Sequence, residues 1–158
     1  VSKMKFTKKL HMPSKKVIII LIIIAAVIAM VMAGLHIFKG DEKVEFKVLN
    51  EKEIPQQIIS QVIPEYRQLE RALACMVDDK VYVIATRGEK PTSGYKITIE
   101  KMVLTEKDGI KNLQVYTEFK DPEPGTALTQ VLTYPLQVVE TNLTELPDQI
   151  ELKVQYAE

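Results

Sequence analysis

The chain is poor in the residues that carry most enzymatic chemistry. It has one cysteine, Cys75, and two histidines, His11 and His36, both before residue 40. An intramolecular disulfide is therefore impossible. Ser–His–Asp and Cys–His catalysis are excluded from everything after His36, and zinc ligation by His and Cys nearly so. No P-loop, dinucleotide fingerprint or calcium-loop spacing occurs. Carboxylates are plentiful, but Glu51/Glu53, Asp78/Asp79 and Asp121/Glu123 fall where turns and solvated ends are expected. Cys75 reads as a small buried side chain rather than a reactive thiol. The expectation is a non-enzyme with no catalytic residue, no cofactor and no metal.

A second absence divides the chain. No acid occurs before Asp41, whereas Lys3, Lys5, Lys8, Lys9, Lys15, Lys16 and Lys39 all do. The remainder keeps fourteen bases against all 21 acids, a net charge of −7, although the whole chain is neutral. So sharp an asymmetry means that the two parts meet different surroundings. A negative domain is repelled by phosphates, so nucleic acid is not an expected partner. The absence of disulfides is ordinary for an exported bacterial domain. The first residue, Val1, fits either a GTG start codon read literally or a few residues missing in front.

Val17 to Leu35 (VIIILIIIAAVIAMVMAGL) carries no charge over 19 residues. As a helix it reaches roughly 28 Å, close to the hydrocarbon thickness of a bilayer. Six Lys precede it, so the positive-inside rule keeps the N-terminus in the cytoplasm and sends the C-terminal part outward. A cleaved signal peptide is the competitor. Its apolar region is shorter and ends at a small-x-small site, whereas Met32-Ala33-Gly34 is followed by more apolar residues. No cysteine is there to carry a lipoprotein anchor. The expected organisation is a basic cytoplasmic tail over 1–16, a transmembrane signal anchor over 17–38 and an extracytoplasmic domain over 39–158.

Within that domain, Val44 to Leu49 alternates as a first strand. From Pro55, the apolar residues Ile58, Ile59, Val62, Ile63, Tyr66, Leu69, Leu73 and Met76 recur at helical spacing. They predict an amphipathic helix that Pro64 kinks or splits. After Asp78-Asp79 the period becomes two. Strands are expected over Lys80–Thr86, Tyr95–Val103, Leu113–Phe119, Gln130–Val139 and Ile150–Tyr156, with a hairpin turn at Asp108-Gly109. Asp121 to Gly125 reads as a loop, and Pro135 as a sign of an edge or bend. The fold class this predicts is α+β, a mostly antiparallel sheet covered by an amphipathic helix. The alternative is a small β-barrel or sandwich. Asn142-Leu-Thr144 matches a glycosylation acceptor, which in a bacterial protein reads as a chance match.

One connection is unusual. Arg87-Gly-Glu-Lys-Pro-Thr-Ser-Gly-Tyr95 joins two good strands. Gly88 and Gly94 can take positive φ, Pro91 fixes its own φ and extends Lys90, and Thr92 and Ser93 can bond back to the loop backbone. The segment is either a well-built turn or a preordered loop offered to a protein partner at low entropic cost. The stretch YVIATRGEKPTSGYKITIEKM resembles the core of the PrcB C-terminal domain family, in which a strand runs into G-x-K-P-T-[GS]-G-Y. Gly88, Lys90, Pro91, Thr92, Gly94 and Tyr95 match, and Ser93 replaces the commoner Gly. The resemblance extends from about Val81 to Leu152, including Leu146, Pro147 and Ile150. It implies a non-catalytic accessory role beside a protease or other envelope complex. Lys90-Pro-Thr-Ser-Gly-Tyr95 is also similar to the N-P-T-T-G-[FY] loop of chagasin-type cysteine-protease inhibitors, with Lys90 in place of Asn. A small-ligand sensor or carboxylate-based enzyme is the third reading.

Overall fold

A computed structural model describes residues 14–37 and 40–157. The chain separates into two compact units, Val1–Lys39 and Gly40–Glu158. The basic tail expected over 1–16 lies almost wholly outside the described residues, as do Phe38 and Lys39.

The described residues of the first unit form one 23-residue α-helix, α1, Lys15–Ile37. Its Lys15–Gly34 window has a mean hydropathy of 3.2 and is long and apolar enough to cross a membrane. Apolar side chains are exposed all round it, from Ile18 at 43 % to Met30 at 79 %. Water does not favour such a surface, whereas lipid does. The carbonyl of Ser14 accepts from Val17 and Ile18 at the start of the helix. The next two residues, Lys15 and Lys16, oppose the helix dipole, so their placement serves something other than helix stability.

The second unit is built from eight strands and one short helix: β1 Glu42–Val44, β2 Phe46–Val48, β3 Glu70–Val77, β4 Lys80–Arg87, β5 Lys96–Lys107, β6 Ile110–Lys120, β7 Leu136–Thr141 and β8 Gln149–Tyr156. They form two four-stranded sheets, β1-β5-β6-β8 and β2-β7-β4-β3. The facing sides share one core of Val44, Val83, Ala85, Ile97, Ile99, Met102, Leu113, Val115, Phe119 and Val139. The helix covers the other side of the second sheet, where Ile58, Tyr82, Ile84 and Val138 pack together. The class is therefore α+β, with a helix over one face of one sheet and a sandwich of two sheets beneath it.

The sequence explains these layers. Strand β4 is apolar on both faces because it is covered twice: Val83 and Ala85 point between the sheets, and Tyr82 and Ile84 point to the helix. Strand β5 alternates cleanly, with Ile97 and Ile99 buried and Lys96, Thr98 and Glu100 exposed. A bulge between Ile99 and Lys101 then shifts the inward position to Met102. Asp108 (φ 54°) and Gly109 (φ 79°) make the expected hairpin turn, with both central residues at positive φ.

Three expectations need correction. The helix does not run from Pro55 to Met76. Ile58–Val62 is a π-helical stretch that passes into a single α-turn, α2, Ile63–Tyr66. Pro64 cannot donate a hydrogen bond, and its ring crowds the carbonyl four residues back. The helix widens there, so that Ile63 N–H bonds the carbonyl of Ile58. Residues from Glu70 form β3, paired with β4 from Glu70↔Arg87 to Val77↔Lys80. Ala72 joins the inter-sheet core while Leu73, Cys75 and Val77 pack under the helix. A strand apolar on both faces mimics the helical spacing of Leu69, Leu73 and Met76.

The first strand is in fact two. The chain changes sheets at Glu45, so that β1 pairs with β5 and β2 with β7. Asn142 fastens this corner: Glu45 N–H donates to its Oδ1 at 3.2 Å, and its own N–H donates to the Glu45 carbonyl at 3.1 Å. The strand expected over Gln130–Val139 begins only at Leu136. Residues 121–135 form a long loop instead. Strand β8 runs parallel to β6, from Asn112↔Gln149 to Phe119↔Tyr156, the one parallel pairing among the described strands.

Candidate functional site

At the end of β4 the sandwich is sealed by an arginine. The Arg87 side chain is only 3 % exposed. Its Nη1 donates to the carbonyls of Lys96 (3.1 Å) and Lys120 (2.8 Å), and its Nη2 pairs with the carboxylate of Asp121. The guanidinium lies 4.7 Å from the Phe119 ring centroid and 5.1 Å from that of Tyr95. Only Nε lacks a partner. Burying a cation is costly unless it is paired and hydrogen-bonded. Here one side chain, from the second sheet, ties the ends of β5 and β6 in the first sheet to the start of the 121–135 loop.

The motif segment follows directly. Gly88 has φ 74°, and a Cβ there would stand 3.2 Å from the carbonyl oxygen of Gln68. Gly94 has φ 95° and faces Pro122 and Leu128, each 3.1 Å from where a Cβ would be. Both positions need glycine for conformation and for close approach. Between them the segment is zipped to the long loop. Lys90 and Thr133 exchange two backbone hydrogen bonds of 2.9 Å, and Ser93 N–H donates to the Thr129 carbonyl at 3.1 Å. Thr129 N–H donates to Ser93 Oγ (3.0 Å), and Thr133 Oγ1 donates to the Thr92 carbonyl (2.8 Å). Thr92 Oγ1 donates to the Ser93 carbonyl at 3.2 Å, the expected bond within the loop. Tyr95 is half-buried, between the Arg87 guanidinium and the ammonium of Lys90, which lies 5.9 Å from the ring centroid.

Gly88, Lys90, Pro91, Thr92, Ser93, Gly94 and Tyr95 thus belong to one ply of a two-ply tongue, and residues 121–135 form the other. Pro91 is exposed at its surface, with Val131 (50 %) and Leu132 (60 %) on the partner ply. At the side of the tongue, the Tyr134 hydroxyl donates to Glu89 Oε2 (2.9 Å) beneath the Arg67 guanidinium, 4.4 Å from the ring centroid. The hydrogen bond to Glu89 raises the pKa of Tyr134 above the ordinary phenol value. The second ply was hidden in the sequence because TQVLTYPLQVV has the apolar content of a strand. Arg87 was hidden because nothing local marks a cation as buried.

The carboxylate pairs have structural work. Glu53 accepts from Asn50 N–H (3.0 Å) and pairs with Lys47 (2.6 Å), closing a turn. Asp78 (φ 49°) and Asp79 (φ 60°) are the turn between β3 and β4. Asp121 holds Arg87, and Glu123 lies 3.7 Å from Lys120. Cys75 is partly buried, and that burial raises its thiol pKa, away from reactivity. Among the described residues, no three His, Cys, Asp or Glu are grouped to hold a metal ion.

Residues 81–142 match the family model described as PrcB C-terminal. The match spans β4 to the start of the loop after β7, and so takes in Arg87, both plies of the tongue and the corner residue Asn142. No curated protein and no solved structure matches the chain.

Proposed function

From the match of residues 81–142 to the PrcB C-terminal family model, we propose that the chain is a membrane-anchored, non-catalytic subunit of a protease or other envelope complex. In this reading α1 is an uncleaved anchor with its N-terminus in the cytoplasm, and the domain after it is extracytoplasmic. Six lysines lie before the apolar run and only Lys39 in the short stretch just after it, a bias that supports that orientation.

The observation that carries the reading is the two-ply tongue. Its backbone is fixed by bonds between plies, and its surface offers Pro91, Val131 and Leu132 to solvent. A prefixed apolar surface loses little conformational entropy on docking. The test is capture from native membranes with the tagged full-length chain, beside a Val131→Asp/Leu132→Asp double variant. A protease or envelope protein retained by the first and lost by the second supports the reading. Retention of the same proteins by both removes the tongue as the docking site.

A further inference from the structure

A groove lies elsewhere, on the helix side of the second sheet. It holds about 820 Å³ between Ile59 and Ile63 on one wall and Leu49, Leu136 and Val138 on the other. Its floor is a sheet edge. Strand β2 pairs with β7 only from Phe46↔Thr141 to Val48↔Val139, and Leu49 N–H then donates to the Val138 carbonyl at 3.0 Å. Beyond Leu49 the chain turns away, while β7 continues back to Leu136.

Strand alternation fixes where the free groups point. Val138 offers its carbonyl to the β2 side, whereas the Pro135 carbonyl accepts from Arg87 N–H on the β4 side. Leu136, two residues before Val138, therefore directs its N–H and C=O into the lane that β2 has left. Among the described residues no strand lies opposite it there. A sheet edge facing an apolar helix wall is the geometry that accepts an extended peptide as an added strand, with main-chain bonds to the edge and a side chain against the helix.

We propose that this groove binds an extended, apolar segment of a protein partner, which continues the β2 lane against Leu136 and seats a side chain between Ile59 and Ile63. This rests on the reading of the domain as a protein-binding subunit and gives it a second contact. Three observations select that occupant. The unpaired donor and acceptor of Leu136 are complementary to another extended backbone and not to a hydrocarbon ligand. The mouth carries one acid and one base, Glu51 and Lys52, so the groove asks for no net charge. It is also continuous with the tongue, because Tyr134 lines the groove and bonds Glu89 of the motif segment. A second copy of the chain fits less well, since a stable dimer uses about 20–30 residues a side.

The test takes full-length protein in lipid nanodiscs as bait for a phage library of random octapeptides. The proposal expects enrichment of peptides with apolar residues at alternate positions. The synthetic consensus peptide should bind Ile59→Lys at least tenfold more weakly, bind Leu132→Asp as well as wild type, and slow amide exchange at Leu136. Leu136→Lys, on the opposite wall, gives the same readout should Ile59→Lys misfold. No enrichment over empty nanodiscs, or peptides indifferent to both wall variants, overturns the groove and leaves the tongue to its own membrane-capture test. Loss of binding with Leu132→Asp alone also overturns it, and moves the peptide site to the tongue. Self-association of the wild-type chain that Ile59→Lys abolishes overturns the partner assignment in favour of a second copy.

Discussion

The turn at Asp108-Gly109 and the tongue at 88–95 both use glycine at positive φ, yet they are different kinds of object. Nothing lies within 4 Å of where a Cβ on Gly109 would sit, so its glycine answers only to the local backbone. Gly88 is pressed against the Gln68 carbonyl, and Gly94 against Pro122 and Leu128. The hairpin turn is a property of two residues. The tongue is a property of the assembled sandwich, held by Arg87 beneath it and by a second loop beside it.

That contrast can be broken first at its base. Arg87→Ala removes two carbonyl bonds, the Asp121 pair and the packing on Phe119. The loss expected is about 3 kcal/mol, from charged hydrogen bonds of roughly 1.5–3 kcal/mol plus a cavity. Urea denaturation should show it, and the 121–135 loop should become sensitive to protease in the folded state. A loss under 1 kcal/mol with the loop still protected would mean that the tongue stands without its arginine.

Gly88→Ala against Gly109→Ala sharpens the comparison. Both pay for positive φ, about 1 kcal/mol at an open turn. Gly88 adds a close approach to a backbone oxygen that cannot swing away, so about 2–3 kcal/mol is expected there. Equal midpoint shifts in the two variants would show that local conformation alone sets both costs.

The smallest effect is electrostatic and belongs to a purely local turn. The Lys47 ammonium and the Asn50 N–H lower the Glu53 pKa below the ordinary carboxylate value. The carboxylate form is thus favoured on folding. Its contribution is present above the unfolded glutamate pKa of about 4.3, and it is lost as pH falls through the lower folded value. Glu53→Gln should flatten that part of the stability–pH curve slightly, with no change near neutrality in its slope. An unchanged acid limb would show that this exposed pair is fully screened.

The same distinction governs what the sequence could reveal. Ile97 and Ile99 alternate with Lys96 and Thr98, so β5 was legible, and Asp108-Gly109 fixed its hairpin. Strand β3 was not, because its two faces meet two different apolar layers and no period of two survives in ALACMV. Strand β8 alternates as expected, but alternation is the same for parallel and antiparallel neighbours. Of the motif, the glycines and the fixed φ of Pro91 were visible, since they express local backbone needs. The clasp of Lys90, Thr92 and Ser93 by residues 129–133 joins positions some forty apart, and only the folded chain brings them together.

The corner at Glu45 has a mechanical consequence. A chain tethered through its N-terminus takes any tension at Glu42, the first residue of β1. Because β1 and β2 lie in different sheets, that load meets three successive fastenings: the β1–β5 pairs, the two hydrogen bonds between Glu45 and Asn142, and the β2–β7 pairs. Peeling the first three residues already draws Val44 out of the core between the sheets. Asn142 is the residue at which a pull stops being an unzipping of one edge and becomes a force shared by the whole sandwich.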